Sequence, residues 1–466
     1  MKISVLGVGY LGAVHAASMA EIGHEVIGLD IDAARIAALA AGDAPFHEPG
    51  FPELLRRGLD SGRLRFTTDY AELAEVDVHF LGLGTPQRAD GFGADLTAVH
   101  AAVDALAAVL PARDGAPTLV VGKSTVPAGT ARDLATRLSA LPGVSLLWNP
   151  EFLREGFAVQ DTLAPDRLVY GVADPGTDAA AAEVALLDAV YAPILAAGMP
   201  RLVMGYEAAE LVKVSANAFL ATKISFINAI SELCEATGAD VTDVARAIGL
   251  DDRIGPKFLR AGVGFGGGCL PKDIRAFIAS AEDLGVGPAL GFLREVDAVN
   301  QRRRVRMVEI AREMLGSLAG RRITVLGAAF KPDSDDVRDS PALEVASRLL
   351  AAGAQVTITD PEALANATRR VEGLIAEPDT AQALRGAELV LLLTEWREYR
   401  DLEPSEAARL VAAPRIIDGR TVLDLPAWRA AGWDVRALGR GTARPGAGGA
   451  AAAEPELEPA RLPAHA

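Results

Sequence analysis

The sequence is poor in the residues that staple, ligate or span. Its 466 residues include only two cysteines, Cys234 and Cys269, so there is no disulfide framework and a reducing compartment is expected. The six histidines, at 15, 24, 47, 79, 100 and 465, form no helical pair with a carboxylate, and no CxxC occurs. No metal is expected on that basis. No apolar run is long enough to span a bilayer, and the N-terminus MKISVLGVGYLG lacks the basic start and cleavage site of a signal peptide. A soluble, cytoplasmic protein with no membrane partner is expected. Basic residues are also scarce: 46 against 62 acidic ones leave a net charge of −16, which argues against a nucleic-acid partner.

What remains is an ordinary globular balance, half hydrophobic, in a chain long enough for two or three domains. An apolar strand over 2–6 runs into Gly7-Val8-Gly9-Tyr10-Leu11-Gly12, then an alanine-rich helix, then a strand over 25–29 that ends in Asp30. This is the dinucleotide-binding order of strand, GxGxxG, helix, strand and acid. Gly7 permits the tight turn, Gly9 lets backbone approach a pyrophosphate, and Gly12 lets the helix pack on the sheet. Asp30 would accept ribose hydroxyls and repel a 2′-phosphate, which selects NAD.

Further strands are expected over 76–83, 118–122, 145–148 and 168–172, with helix-length segments between them. That alternation predicts an α/β fold with a parallel, doubly wound sheet. Gly84-Thr85-Pro86, Lys123-Ser124-Thr125 and Asn149-Pro150-Glu151 follow three of these strands. In open sheets such loops meet in one crevice.

A helix is expected over 206–237, stopped by Gly238, with Glu210, Lys213 and Asn217 on one face. A solvated charged face suits Glu210; Asn217, among Ala216, Ala218, Phe219 and Leu220, fits that reading worse. Cys234 reads as a core residue. The segment GVGFGGGCLPKD at 262–273 then wraps Cys269 in glycine. Two readings stand, an inert thiol or a nucleophile activated by a nearby ammonium, for which Lys272 is the local candidate. Arg253 and Lys257 supply either phosphate-binding charge or surface solubility. An arginine-rich helix is expected over 292–315.

A second α/β unit begins near 321, with strands over 323–326, 355–359, 389–393 and 415–417 and a helix over 341–352. Its first turn, Gly327-Ala328-Ala329-Phe330-Lys331-Pro332, lacks GxGxxG. The expected division is 1–204 for the NAD-binding domain, 205–315 for a central helical region with the cysteine loop, 316–438 for a second Rossmann-like domain, and 439–466 for a disordered tail.

Read together, GVGYLG, GTP at 84–86, KSTVPAGT at 123–130, NPEFLREG at 149–156, PDR at 165–167, GFGGGCLPKD at 264–273, FKPDSDDVRDSP at 330–341 and DGR at 418–420 closely resemble the nucleotide-sugar 6-dehydrogenase family. The resemblance runs from residue 1 to about 438. It implies two Rossmann-like domains joined by a long central helix, and a four-electron oxidation of a sugar C6 alcohol to a carboxylate with two NAD in succession. It implies that Asp273 and a water help remove the alcohol proton, that Cys269 captures the aldehyde as a thiohemiacetal, and that the resulting thioester is hydrolysed. Glu151 and Thr125 match water-handling positions, and Lys213 and Asn217 match groups that stabilise an oxyanion. Tyr10, Leu11, Arg35, Thr85, Thr125, Glu155 and Arg338 join Gly7, Gly9, Gly12 and Asp30 as implied cofactor positions. Phe152, Leu153, Phe265, Gly266, Lys331 and Arg420 join Glu151, Glu155, Lys213 and Asn217 as implied substrate positions. Arg253 matches one that reaches the sugar nucleotide from a neighbouring subunit, so a homodimer is expected. PDR at 165–167 points to the branch acting on UDP-glucose, with GDP-mannose or a UDP-N-acetylhexosamine as the alternative. Gly268 departs from the family, where serine is usual, and is expected to add flexibility before the cysteine.

Overall fold

In the computed structural model, residues 1–111 and 117–441 are described. Short Val-, Ile- and Leu-rich runs form strands buried on both faces, as a sheet covered by helices on either side requires. The first sheet holds β1 (Lys2–Leu6), β2 (Glu25–Leu29), β3 (Leu64–Thr67), β4 (Val78–Leu81), β5 (Thr118–Gly122), β6 (Val144–Trp148), β7 (Leu168–Val172) and β8 (Arg201–Gly205). Their order is β3-β2-β1-β4-β5-β6-β7-β8. Pairing is parallel from β3 across to β6. β7 then meets β6 antiparallel, Trp148 opposite Gly171, and β8 runs parallel to β7. The doubly wound expectation therefore holds, and the parallel expectation fails only at the β6–β7 pair. β8 went unforeseen because it is an edge strand whose residues stay largely exposed.

The second sheet repeats the layout. β9 (Arg322–Leu326), β10 (Gln355–Thr359), β11 (Ile375–Ala376), β12 (Leu389–Leu392), β13 (Arg415–Asp418) and β14 (Asp434–Ala437) stand in the order β11-β10-β9-β12-β13-β14. Every pairing is parallel. The carboxyl ends of β1, β4, β5, β6, β9 and β13 carry the turns singled out in the sequence.

β8 runs directly into the helix Tyr206–Thr237, whose 32 residues end at Gly238 in the left-handed conformation. At 1.5 Å per residue it extends about 48 Å. The helix Phe292–Leu315 packs along it, with Ser225 Oγ donating to the Val296 carbonyl at 2.7 Å and Arg303 pairing with Glu235 at 2.8 Å. The expected end of the last domain also moves. The Val241 amide donates to the Gly439 carbonyl at 2.9 Å, and Arg440 pairs with Asp240 at 3.1 Å, so residues 439–441 are tied to the central helices. The rest of the expected disordered tail, 442–466, lies outside the described residues.

Candidate active site

The GxGxxG turn has the geometry its glycines predict. Gly7 has φ +85° and donates its amide to the Leu29 carbonyl at 2.8 Å. A Cβ on Gly12 would lie 1.9 Å from the Gly7 carbonyl oxygen, so nothing larger lets the helix Tyr10–Glu21 start where it does. A Cβ on Gly9, in contrast, would meet nothing within 4 Å. That open space lies over the first turn of the helix, where free amides favour an anion. Asp30 is buried and held from three sides: Val8 N at 3.0 Å, Asp32 N at 3.0 Å and Arg35 Nη1 at 3.0 Å. The turn, the open space and the held carboxylate together fit a dinucleotide, and Leu11 and Arg35 sit within this unit.

Cys269 caps the helix Leu270–Asp283 and ends the glycine loop. The loop is pinned. Asn300 Oδ1 accepts from Phe265 N at 2.8 Å, and the Phe265 carbonyl accepts from Asn300 Nδ2 at 3.0 Å and Arg304 Nη2 at 2.9 Å. A Cβ on Gly266 would lie 2.2 Å from the Asp339 carbonyl, and one on Gly268 would lie 2.3 Å from the Arg338 guanidinium carbon. Gly268 therefore makes room for Arg338, which corrects the expectation that it loosens the segment.

The central helix supplies the polar face of the site. Lys213 Nζ lies 2.9 Å from Glu151 Oε1 and 5.6 Å from the centre of the Phe152 ring. Glu151 also accepts from Leu153 N at 2.5 Å. Asn217 Nδ2 donates to Asp273 Oδ2 at 2.6 Å, with both residues buried. Glu210 corrects the solvated-face reading: it is 2% exposed and accepts from Gly129 N and Ala131 N, each at 2.7 Å, at the start of the helix Thr130–Leu138. Burial raises its carboxyl to about 7 against those two amides. Thr85 Oγ1 donates to the Thr125 carbonyl at 2.7 Å, which joins two of the strand-end loops.

Lys272 is a second correction. Its ammonium pairs with Asp273 Oδ1 at 2.7 Å and approaches Thr85 Oγ1 at 3.5 Å. Lys213 acts on the thiol instead, and Lys331 and Arg338 from the second sheet also interact with it. Cys269 is exposed to the cleft, yet the surrounding protein and the carboxylates of Glu151, Glu155 and Asp273 push its thiol well up, with Lys213 pulling the other way. Lys213 is itself nearly enclosed. Burial lowers its pKa, but Glu151, Cys269 and Asp273 outweigh burial and hold the ammonium charged.

The second sheet closes the site from the other side. Lys331 donates its ammonium to the Glu155 carbonyl, and Arg338 Nη2 lies 3.1 Å from Glu155 Oε1. Burial and then Asp336 push the Glu155 carboxyl up to about 7, against Arg338 and Lys331. A cavity of about 440 Å³ lies between the two units, with Tyr10, Phe46, Glu155, Asp336, Arg338 and Arg370 in its wall. Arg420 spends three donors on backbone: the Leu393 carbonyl at 2.6 Å, Gly264 at 3.0 Å and Phe330 at 3.1 Å. It thus binds the cysteine loop to the second sheet. Arg253 stands apart on the surface, paired with Asp251 at 2.6 Å. Cys234 is buried, as expected. The sequence places Lys123 in a strand-end loop but assigns it no role; it is fully enclosed, lowered by burial to about 8, and holds Asn149 Oδ1 at 3.0 Å. One residue escaped the sequence reading. Glu48 carried no signal at all. Among the described residues no His, Cys, Asp and Glu cluster suits a metal, and no helix is long and apolar enough to cross a membrane.

Comparison with known proteins matches this division of the chain. Residues 1–195 match the NAD binding domain of the UDP-glucose/GDP-mannose dehydrogenase family, 207–302 its central domain and 324–425 its UDP binding domain. The chain is 42% identical over 427 residues to a UDP-glucose 6-dehydrogenase of Rhizobium meliloti, covering 91% of this chain and 95% of that one. It is 39% identical over 446 residues to a UDP-glucose 6-dehydrogenase of Bacillus subtilis, covering 94% and 98%. Among solved structures, a UDP-glucose dehydrogenase from Pyrobaculum islandicum superposes with a TM-score of 0.84 at 38% identity, covering 95% and 98%. A GDP-mannose dehydrogenase ternary complex from Pseudomonas aeruginosa superposes with a TM-score of 0.51 at 28% identity, covering 94% and 100%. With family models matching 1–195, 207–302 and 324–425 and relatives about 40% identical over most of both chains, the chain belongs to the UDP-glucose/GDP-mannose dehydrogenase family.

Proposed function

We propose that this chain oxidises the C6 alcohol of UDP-glucose to the carboxylate of UDP-glucuronate, with NAD as oxidant and Cys269 as the covalent holder of the aldehyde. One arrangement carries the reading: at the cleft that Cys269 faces, the Lys213 ammonium pairs with Glu151 at 2.9 Å and the Asn217 amide with Asp273 at 2.6 Å, so a cation, an amide donor and two carboxylates are gathered around one thiol. The choice of UDP-glucose rests on the relatives above, which are named for that sugar nucleotide at 39% and 42% identity.

NAD, when bound, supplies the hydride acceptor; Gly7, Gly9, Tyr10, Leu11, Gly12, Asp30 and Arg35 would hold it, with Thr85, Thr125, Glu155 and Arg338 beside it. The chain's own residues handle protons, charge and the sugar. Asp273, fixed by Asn217 and Lys272, takes the proton of the C6 hydroxyl through a water. The Cys269 sulfur then bonds to the aldehyde carbon as the carbonyl π pair moves onto oxygen. Lys213 and Asn217 donate to that oxyanion. Because the thiol is protonated at neutral pH, its proton passes to a neighbouring carboxylate, Glu151 or Asp273, as the bond forms. The thiohemiacetal carbon would lose its hydride to a second NAD as the oxyanion re-forms a carbonyl, which gives the thioester. There a water steered by Glu151 and Thr125 adds to the acyl carbon; the C–S bond breaks, and sulfur leaves with its electron pair and is reprotonated. Phe152, Leu153, Phe265, Gly266, Lys331 and Arg420 form the wall for the sugar nucleotide.

The same helix supports a homodimer. Phe219, Phe226 and Leu233 recur every seven residues along it and are 67%, 52% and 62% exposed. A seven-residue repeat keeps apolar side chains on one stripe, and an exposed stripe of this kind suits a second copy. In that dimer Arg253 extends toward the partner's substrate.

Three measurements follow. The purified chain supplied with UDP-glucose should form about two NADH per sugar consumed, as a four-electron oxidation by a two-electron carrier requires; turnover of GDP-mannose with none of UDP-glucose would overturn the substrate. Alkylation of Cys269 by iodoacetamide should rise about tenfold per pH unit through the neutral range, since only the thiolate reacts. Lys213→Met, which removes the cation pulling the thiol down, should slow it further; fast, pH-independent alkylation at pH 6 would contradict the electrostatics. Light scattering should give a dimer for the wild type and a monomer for Phe219→Glu combined with Phe226→Glu, and a monomeric wild type would remove the dimer.

A further inference from the structure

Glu48 lies in the connection between β2 and β3, just before the helix Phe51–Asp60, touches none of the reacting groups, and is 2% exposed. An isolated carboxylate so deeply buried is costly, and here it is met by donors from two distant segments. Oε1 accepts from Ala158 N at 2.7 Å. Oε2 accepts from Gly156 N at 2.6 Å and from the hydroxyl of Tyr10. Gly156 N lies within 3.1 Å of the same hydroxyl, so its amide is shared between the two oxygens. Tyr10 is the fourth residue of the GVGYLG turn, and Gly156 follows Glu155, the residue gripped by Lys331 and Arg338 from the second sheet. Gly156 is itself hemmed in: its φ is +79°, and a Cβ there would lie 2.9 Å from the Asp333 carbonyl. The Tyr10 ring is packed as well, 4.7 Å from Phe46, which stacks on Phe51 at 5.0 Å.

We infer that Glu48 is a positioning residue, tying the cofactor turn through Tyr10 to the substrate loop through Gly156. At its far end the loop that carries Glu151 and Glu155 is joined to the cofactor turn by this side chain, while Asp161 holds Arg154 within the loop itself. When the tie is whole, the turn and the loop move as one body, and Lys331 and Arg338 meet Glu155 in a fixed place. When it is cut, Glu155 is free to follow the second sheet and the sugar-nucleotide wall loosens, while the backbone of the glycine turn keeps its shape. The effect should therefore fall on the sugar nucleotide more than on NAD.

The inference rests on the proposed reaction for the identity of its ligand, so it is tested by binding, without turnover. Calorimetric titrations with UDP-glucose and, separately, with NAD compare the wild type, Tyr10→Phe, Glu48→Gln and the double variant. Tyr10→Phe removes only the hydroxyl, which is engaged by Glu48 and Gly156, and keeps the ring packed and the backbone of the cofactor turn unchanged, so NAD is the internal control and the variant remains informative if Glu48→Gln fails to fold. Each single variant should weaken UDP-glucose about five- to tenfold and NAD no more than about twofold, in the range expected for one buried hydrogen bond. The double variant should be no weaker than the weaker single one, because both substitutions cut one link. Wild-type UDP-glucose affinity in Tyr10→Phe, equal weakening of both ligands, or losses that multiply in the double variant would each overturn the tie. A wild type that fails to bind UDP-glucose would instead overturn the proposed substrate.

Discussion

A 32-residue helix that buries a glutamate, a lysine and an asparagine on one face has to give each of them a partner, because an unpaired buried polar group costs several kcal/mol and a charge costs more. That constraint draws the site together. Glu210 takes the amides that open the helix Thr130–Leu138, Lys213 takes Glu151 after β6, and Asn217 takes Asp273 beyond the cysteine. Three segments far apart in the chain converge on one stripe of helix about two turns long. Cys269 sits where they meet.

The second sheet completes the enclosure through backbone. Arg420 binds the carbonyls of Gly264 and Phe330, Asn300 and Arg304 bind Phe265, and Lys331 binds Glu155. The glycines of the cysteine loop are thus spent on close packing between units. This leaves the thiol facing a cleft where burial and three carboxylates outweigh the pull of Lys213, which favours the proton on sulfur until an electrophile arrives. A protonated resting thiol is also the less readily oxidised form.

Much of this was legible in the sequence because its signals are local. The GVGYLG turn, the stop at Gly238 and the limits of the helix Phe292–Leu315 follow from glycine and from apolar period, and the structure agrees residue for residue. Edge strands were not legible: β8 is mostly exposed and β11 has two residues, so neither carries a buried pattern. Charge partners were harder still. Lys272 is three residues from Cys269 in the chain yet pairs with Asp273, whereas Lys213, 56 positions away, acts on the thiol. Glu210 read as solvated because helix period alone does not show what packs against that face. Glu48 had no motif around it, since its importance comes entirely from the two loops that fold over it.

The account stands or falls on the sulfur of Cys269. A Cys269→Ala variant should bind UDP-glucose within about twofold of the wild type and lose UDP-glucuronate formation by about a thousandfold or more, as removal of a covalent nucleophile does. Sugar acid formed by that variant at the wild-type rate would contradict it.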